Sequence, residues 1–156
     1  MSLSSAPLPS GPICPAGIDH IVLRVRDVPS MIAFYVSVLG RVLEWERPDL
    51  GLVHLRAGTA LIDLVDIAGP LGRQGGRAPG AKGRNLDHVC LALAHFDERA
   101  IRAHLDRHCA RPSDTAQRYG ASGMGPSLYL HDPEGNVVEL RGPGDGSRAV
   151  EDTKAT

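Results

Sequence analysis

Two histidines and two carboxylates recur at matching places along this chain. Asp19-His20-Ile21-Val22-Leu23 returns 68 residues later as Asp87-His88-Val89-Cys90-Leu91. After a helix-like stretch each copy is followed by a strand-like segment with one acid, Asp63 in Ala60-Leu61-Ile62-Asp63-Leu64 and Glu139 in Asn136-Val137-Val138-Glu139-Leu140. An imidazole or ionised carboxylate on a partly buried sheet face is costly unless it is paired, hydrogen-bonded or bound to a cation. One divalent metal shared by His20, His88 and one or both of Glu139 and Asp63 removes that cost for all of them together. The donors are nitrogen and oxygen with no thiolate, which suits Zn, Ni, Co, Fe(II) or Mn. Glutamate reaches one methylene further than aspartate, so Glu139 is the better placed of the two acids.

Alternation decides whether those side chains share a face. From Ile18 to Val25, Ile21, Leu23 and Val25 fall on one side and His20, Val22 and Arg24 on the other. Asp63 shares its side with Leu61 and Val65, and Glu139 with Val137 and Arg141. In each copy a row of branched aliphatics, suited to covering a helix, thus opposes a row with a potential ligand. Asp27-Val28-Pro29-Ser30 opens the first helix, with Ile32, Tyr35, Val36 and Leu39 at helical spacing and Gly40 as its stop. Strands follow at Val42 to Trp45, Val53 to Arg56 and Ala60 to Val65. The second copy gives a strand from Leu86 to Leu93, a helix from Asp97 to His108, and closing strands at Ser127 to His131 and Asn136 to Arg141, joined by Asp132-Pro133-Glu134-Gly135. Arg111 to Pro126 reads as the longer connection that separates the acids by 76 positions where the histidines are separated by 68.

The pattern predicts an α+β fold of two βαβββ modules, forming a curved mixed-sheet cup with helices outside and four inward positions on its concave face. Module one is expected over 17–68, a connecting loop over 69–85, and module two over 86–143, all one domain. Flexible segments are expected over 1–16 and 144–156. Leu71 to Arg84, with five glycines, one proline and four cations, has no hydrophobic period and reads as the connecting loop.

At 156 residues and 42% hydrophobic content the chain can fill one core. A formal net charge of -1, with both signs mixed, gives no basic footprint for nucleic acid or an anionic membrane. No apolar run approaches the roughly 20 residues of a membrane span, and the first sixteen residues do not read as a signal peptide. Cys14, Cys90 and Cys109 are odd in number and far apart, which suits reduced thiols and a cytoplasmic location. Cys90 reads as a small apolar filler beside the site.

The motifs Gly17-Ile18-Asp19-His20-Ile21, Asp27 through Ser30, Phe34-Tyr35, Leu39-Gly40, Leu86-Asp87-His88 and Asp132 through Leu140 together resemble the vicinal oxygen chelate superfamily. That family includes glyoxalase I, extradiol dioxygenases, fosfomycin-resistance thiol transferases and bleomycin-binding proteins. The resemblance runs from about Gly17 to Pro143. It implies paired βαβββ modules around one divalent metal, with His20, His88 and Glu139 as ligands. The fourth ligand of glyoxalase I-like members maps onto Asp63, where those members mostly carry glutamate or histidine.

The resemblance further implies a small substrate that chelates the metal through neighbouring oxygens, and a homodimer. In the glyoxalase I-like expectation, of lactoylglutathione-lyase type, Asp63 or Glu139 moves a proton on a thiohemiacetal of glutathione or another thiol. An anionic thiol needs cations, and Arg24, Arg141, Arg73, Arg77, Lys82 and Arg84 are available. In the extradiol alternative, His20, His88 and Glu139 hold Fe(II), with His54, His131, Tyr119 or Tyr129 as acid-base groups. The third alternative is an antibiotic-binding protein without turnover, whose relatives typically lack the metal ligands.

Overall fold

Each histidine-bearing segment becomes an edge strand paired in parallel with the strand that carries its acid. In the computed structural model, which describes residues 18–82, 84 and 86–147, β1 (His20–Val25) lies beside β4 (Ala60–Asp66). β4 then pairs antiparallel with β3 (Leu52–Ala57), and β3 with β2 (Val42–Arg47). The second half repeats the order: β5 (His88–Ala92), β8 (Val137–Arg141), β7 (Gly123–His131), β6 (Ala116–Gly120). A helix follows the first strand of each set, α1 (Val28–Ala33) and α2 (Glu98–Arg107). The fold is therefore α+β, built of two βαβββ modules. Segment 1–16 with Cys14, together with Gly17 and 148–156 of the expected tail, lies outside the described residues.

Local chemistry sets the element ends. The Asp27 carboxylate accepts from Ser30 N–H at 3.0 Å and caps α1, and Asp97 caps α2 through Ala100 N–H at 3.0 Å. The first helix does not run uniformly to Leu39. Phe34–Val38 is a π-helical turn in which Leu39 N–H donates to the Phe34 carbonyl at 3.1 Å. The stretch read as a connection, Arg111 to Pro126, holds β6 and the start of β7. β6 is an edge strand with no row in the core, so Gln117-Arg118-Tyr119 carries no period-2 apolar signal.

The glycine-rich stretch after β4 is folded back onto β1. Arg24 donates through Nη2 to the carbonyls of Gly72 (2.7 Å) and Gly76 (2.8 Å) and through Nη1 to that of Arg77 (3.1 Å). Arg26 Nη2 donates to the carbonyl of Pro79. Close approach to backbone requires glycine at Gly72, while a Cβ at Gly75 would push the end of the Arg24 side chain off its carbonyls. A Cβ at Gly75 would sit 2.5 Å from Arg24 Cζ, and one at Gly72 1.9 Å from the Asp66 carbonyl oxygen.

The helix-facing rows of both sheets contribute to one hydrophobic core. Leu23, Val25, Leu55, Ile62 and Leu64 come from module one, and Leu91, Leu128, Leu130, Val138 and Leu140 from module two, with Met31, Phe34 and Tyr35 of the first helix among them. Polar ties join the modules at the rim of this core. Tyr35, fully buried, donates to Asp132 Oδ2 at 3.3 Å, and burial followed by the Asp132 charge pushes its phenol well up, so it stays a neutral donor. His104 Nε2 lies 2.8 Å from the Val38 carbonyl, and Asp27 N–H donates to Glu134 Oε1 at 2.8 Å. Among the described residues no helix is long and apolar enough to cross a membrane.

Candidate metal centre

Each candidate histidine stands at the first residue of its strand, and the aspartate before it turns back onto the ring. His20 Nδ1 is 2.7 Å from Asp19 Oδ1, and His88 Nδ1 is 2.8 Å from Asp87 Oδ2. An ionised carboxylate can only accept, so Nδ1 carries the hydrogen in both pairs and Nε2 becomes the outward nitrogen. A carboxylate on the far ring nitrogen is how metal-binding imidazoles are oriented. The repeated Asp-His dipeptide displays this in the sequence, although alternation alone assigns Asp19 and Asp87 to the wrong face. They lie just outside the strands and are free of that rule. The hydrogen bond to Asp19 raises the His20 pKa, helped by the charges of Asp63 and Asp19 against the opposing effect of lost hydration.

The two acids are buried, Asp63 to 5% exposure and Glu139 to 6%. Glu139 Oε2 lies 3.3 Å from His88 Nε2, so the module-two pair meets directly. Tyr129 faces Glu139 across the β7–β8 ladder and packs edge-on against His88, ring centroids 5.4 Å apart. Asp63 shares a sheet face with His20 and pairs at 2.8 Å with His54, its opposite number on β3.

Cys90 is in register with Glu139. Loss of hydration, and then the Glu139 charge, push its thiol up to about 11. In chelator-treated protein the alkylation rate of Cys90 by iodoacetamide should therefore keep climbing about tenfold per pH unit past pH 9, where an ordinary thiol levels off. Peptide mapping of the labelled protein reads it, and Glu139→Gln should shift the rise to lower pH.

The structure does not bring all four candidate ligands together in one chain. His20 and Asp63 stand on one sheet, His88 and Glu139 on the other. Among the described residues no three His, Cys, Asp or Glu side chains form a group able to hold a metal ion. The reason is the shared core: the helix-facing rows of both sheets face it, so each ligand row lies on its sheet's other face. Each half-site still has the chemistry a divalent ion needs, namely an oriented imidazole and a buried carboxylate with no Lys or Arg paired to it among the described residues.

A cavity of about 320 Å³ opens beside β1, where Val22 and Arg24 continue the His20 row. Arg24, Arg77 and Arg84 line it with Leu86 and Asn136, and among the described residues no acid lines it. Arg141, also a candidate cation in the sequence, is 6% exposed and spends its guanidinium on the carbonyls of Arg118 (2.9 Å), Gly142 (3.1 Å) and Gly123.

Several known proteins are similar to this chain. A virulence protein of Salmonella typhimurium is 26% identical over 125 residues, covering 79% of this chain and 81% of that protein. Biphenyl-2,3-diol 1,2-dioxygenase 3 of Rhodococcus globerulus is 28% identical over 131 residues, covering 80% of this chain and 62% of the dioxygenase. The crystal structure of a lactoylglutathione lyase from Agrobacterium tumefaciens shares the fold with a TM-score of 0.60 at 21% identity, over 82% of this chain and 94% of that one. The family model for the glyoxalase/bleomycin resistance protein/dioxygenase superfamily matches residues 17–140, and the chain belongs to that superfamily.

Proposed function

We propose that this protein is a divalent-metal-dependent enzyme of glyoxalase type, acting in the cytoplasm on a small oxygen-chelating substrate. Its centre is completed between two copies, with His20 and Asp63 from one and His88 and Glu139 from the other. The observation that carries this reading is the pair of matched half-sites. Each presents an Asp-oriented imidazole and a buried carboxylate on a sheet face turned away from the shared core. Two such faces in one chain do not meet, whereas a symmetric dimer brings unlike halves together twice. A divalent metal held there supplies Lewis acidity to a pair of substrate oxygens.

The chain's own groups supply the remaining chemistry. Asp19 and Asp87 hold the imidazoles in the tautomer that offers Nε2. Asp63, hydrogen-bonded through one oxygen only among the described residues, takes a proton from one carbon of the substrate and returns it to the neighbouring carbon. The arginine-lined cavity takes the anionic tail of a thiol cosubstrate such as glutathione, and Arg77 has no acceptor on its guanidinium among the described residues. The test is isomerisation of the glutathione thiohemiacetal of methylglyoxal by protein loaded in turn with Ni, Co and Zn. Turnover with any of these supports the reading.

One observation favours an extradiol dioxygenase as the second reading. Tyr129 stands against both His88 and Glu139, where an acid-base group would serve a three-ligand Fe(II) centre. The likeness to the Rhodococcus dioxygenase supports it as well. Consumption of O₂ with catechols by Fe(II)-loaded protein, with no isomerase activity under the other metals, replaces the first reading by the second.

A further inference from the structure

Asp63 is the shorter of the two acids, and an aspartate that must meet a metal or a substrate carbon has to be held in one rotamer. The side chain that holds it is His54. His54 lies directly across the β3–β4 ladder from Asp63, with Nδ1 2.8 Å from Asp63 Oδ1. Because the ionised carboxylate only accepts, Nδ1 donates, and Asp63 Oδ2 keeps no hydrogen-bond partner among the described residues. The imidazole is itself fixed. Trp45 on β2 stacks on it, centroids 5.6 Å apart and planes 21° from parallel. Arg47 lies 4.9 Å over the Trp45 ring and is pinned by two bonds to Asp49, at 3.0 and 2.8 Å. A file of restraints thus runs from Asp49 through Arg47, Trp45 and His54 to Asp63.

We propose that His54 is a positioning residue which aims Asp63 Oδ2 into the metal-binding face, a role that rests on the half-site reading above. The corresponding place in module two, across from Glu139, is held by Tyr129, so both acids have a hydrogen-bonding ring at the same register position. In module two the longer glutamate meets His88 directly. In module one the histidine makes up for the missing methylene by fixing direction.

The test is Co(II) titration of the full-length protein, followed by its visible spectrum and by metal content after gel filtration. His54→Phe keeps a ring on Trp45 and removes the donor, so the metal-free protein should still fold but melt at a lower temperature, because the buried Asp63 carboxylate loses its hydrogen-bond partner, while Co(II) affinity falls about ten- to a hundredfold. His54→Asn returns an N–H to the Nδ1 position and should restore most of the affinity. In an Asp63→Ala background, His54→Phe should cost nothing further, because the histidine acts only through the aspartate. Unchanged Co(II) affinity in His54→Phe, or a full additional loss in the Asp63→Ala background, overturns the inference while leaving the half-site reading in place. A wild-type protein that takes up no Co(II) overturns both.

Discussion

Mixing His20→Ala protein with His88→Ala protein, after unfolding and refolding them together, is expected to restore metal binding that neither possesses alone. Each homodimer carries two damaged centres. In the mixed dimer one centre combines the two damaged halves and the other combines the two intact halves. Random pairing makes about half the dimers mixed, so about a quarter of the wild-type metal content should return. Metal analysis after gel filtration reads this without a known substrate. A centre assembled within one chain predicts no recovery at any mixing ratio, and that result would sink the shared-site proposal.

The second large effect concerns His88→Ala by itself. Its imidazole is held by Asp87 on one nitrogen and faces Glu139 with the other, so it anchors a pair of candidate ligands that already meets within a chain. Losing it should lower affinity for Zn or Co by at least about a hundredfold, since even residues behind the ligands are worth ten- to a hundredfold. The helix-facing residues Val89 and Leu91 are untouched, and His88 is partly exposed, so urea unfolding of the metal-free variant should match wild type within about 1 kcal/mol. Full metal occupancy in this variant would remove His88 from the centre.

The duplication was legible because a buried row writes itself into a sequence. Leu23 and Val25, Ile62 and Leu64, and Val138 and Leu140 alternate with polar or ligand positions, and the sheets follow them. β6 and the π turn were not legible. The first has no buried row, and the second depends on one extra residue in a helical turn, which leaves the apolar spacing almost unchanged. At the site, alternation set Asp63 and Glu139 opposite their strands' helix-facing rows, and the register puts Asp63 on the His20 face and Glu139 on the face of His88 and Cys90. The partners that orient these side chains come from strand entries or from neighbouring strands: Asp19, Asp87, His54 and Tyr129. A neighbour across a ladder depends on register, which no single segment carries. How the two faces relate depends on which sides share a core, a property of the packed chain rather than of either repeat.

The fold-back of the glycine-rich stretch sets a tether length. Arg24 and Arg26 hold its carbonyls as far as Pro79, so this part travels with β1. Arg84 in turn donates to the Asn136 side chain and the Glu134 carbonyl of the second module, so only residues 80–83 lie between the two anchors, and four residues reach at most about 14 Å. A copy that lends its second half to a neighbour must therefore keep that neighbour within one molecular diameter. Closed pairs satisfy that leash, whereas long open strings of exchanged chains would have to pull it off the arginines.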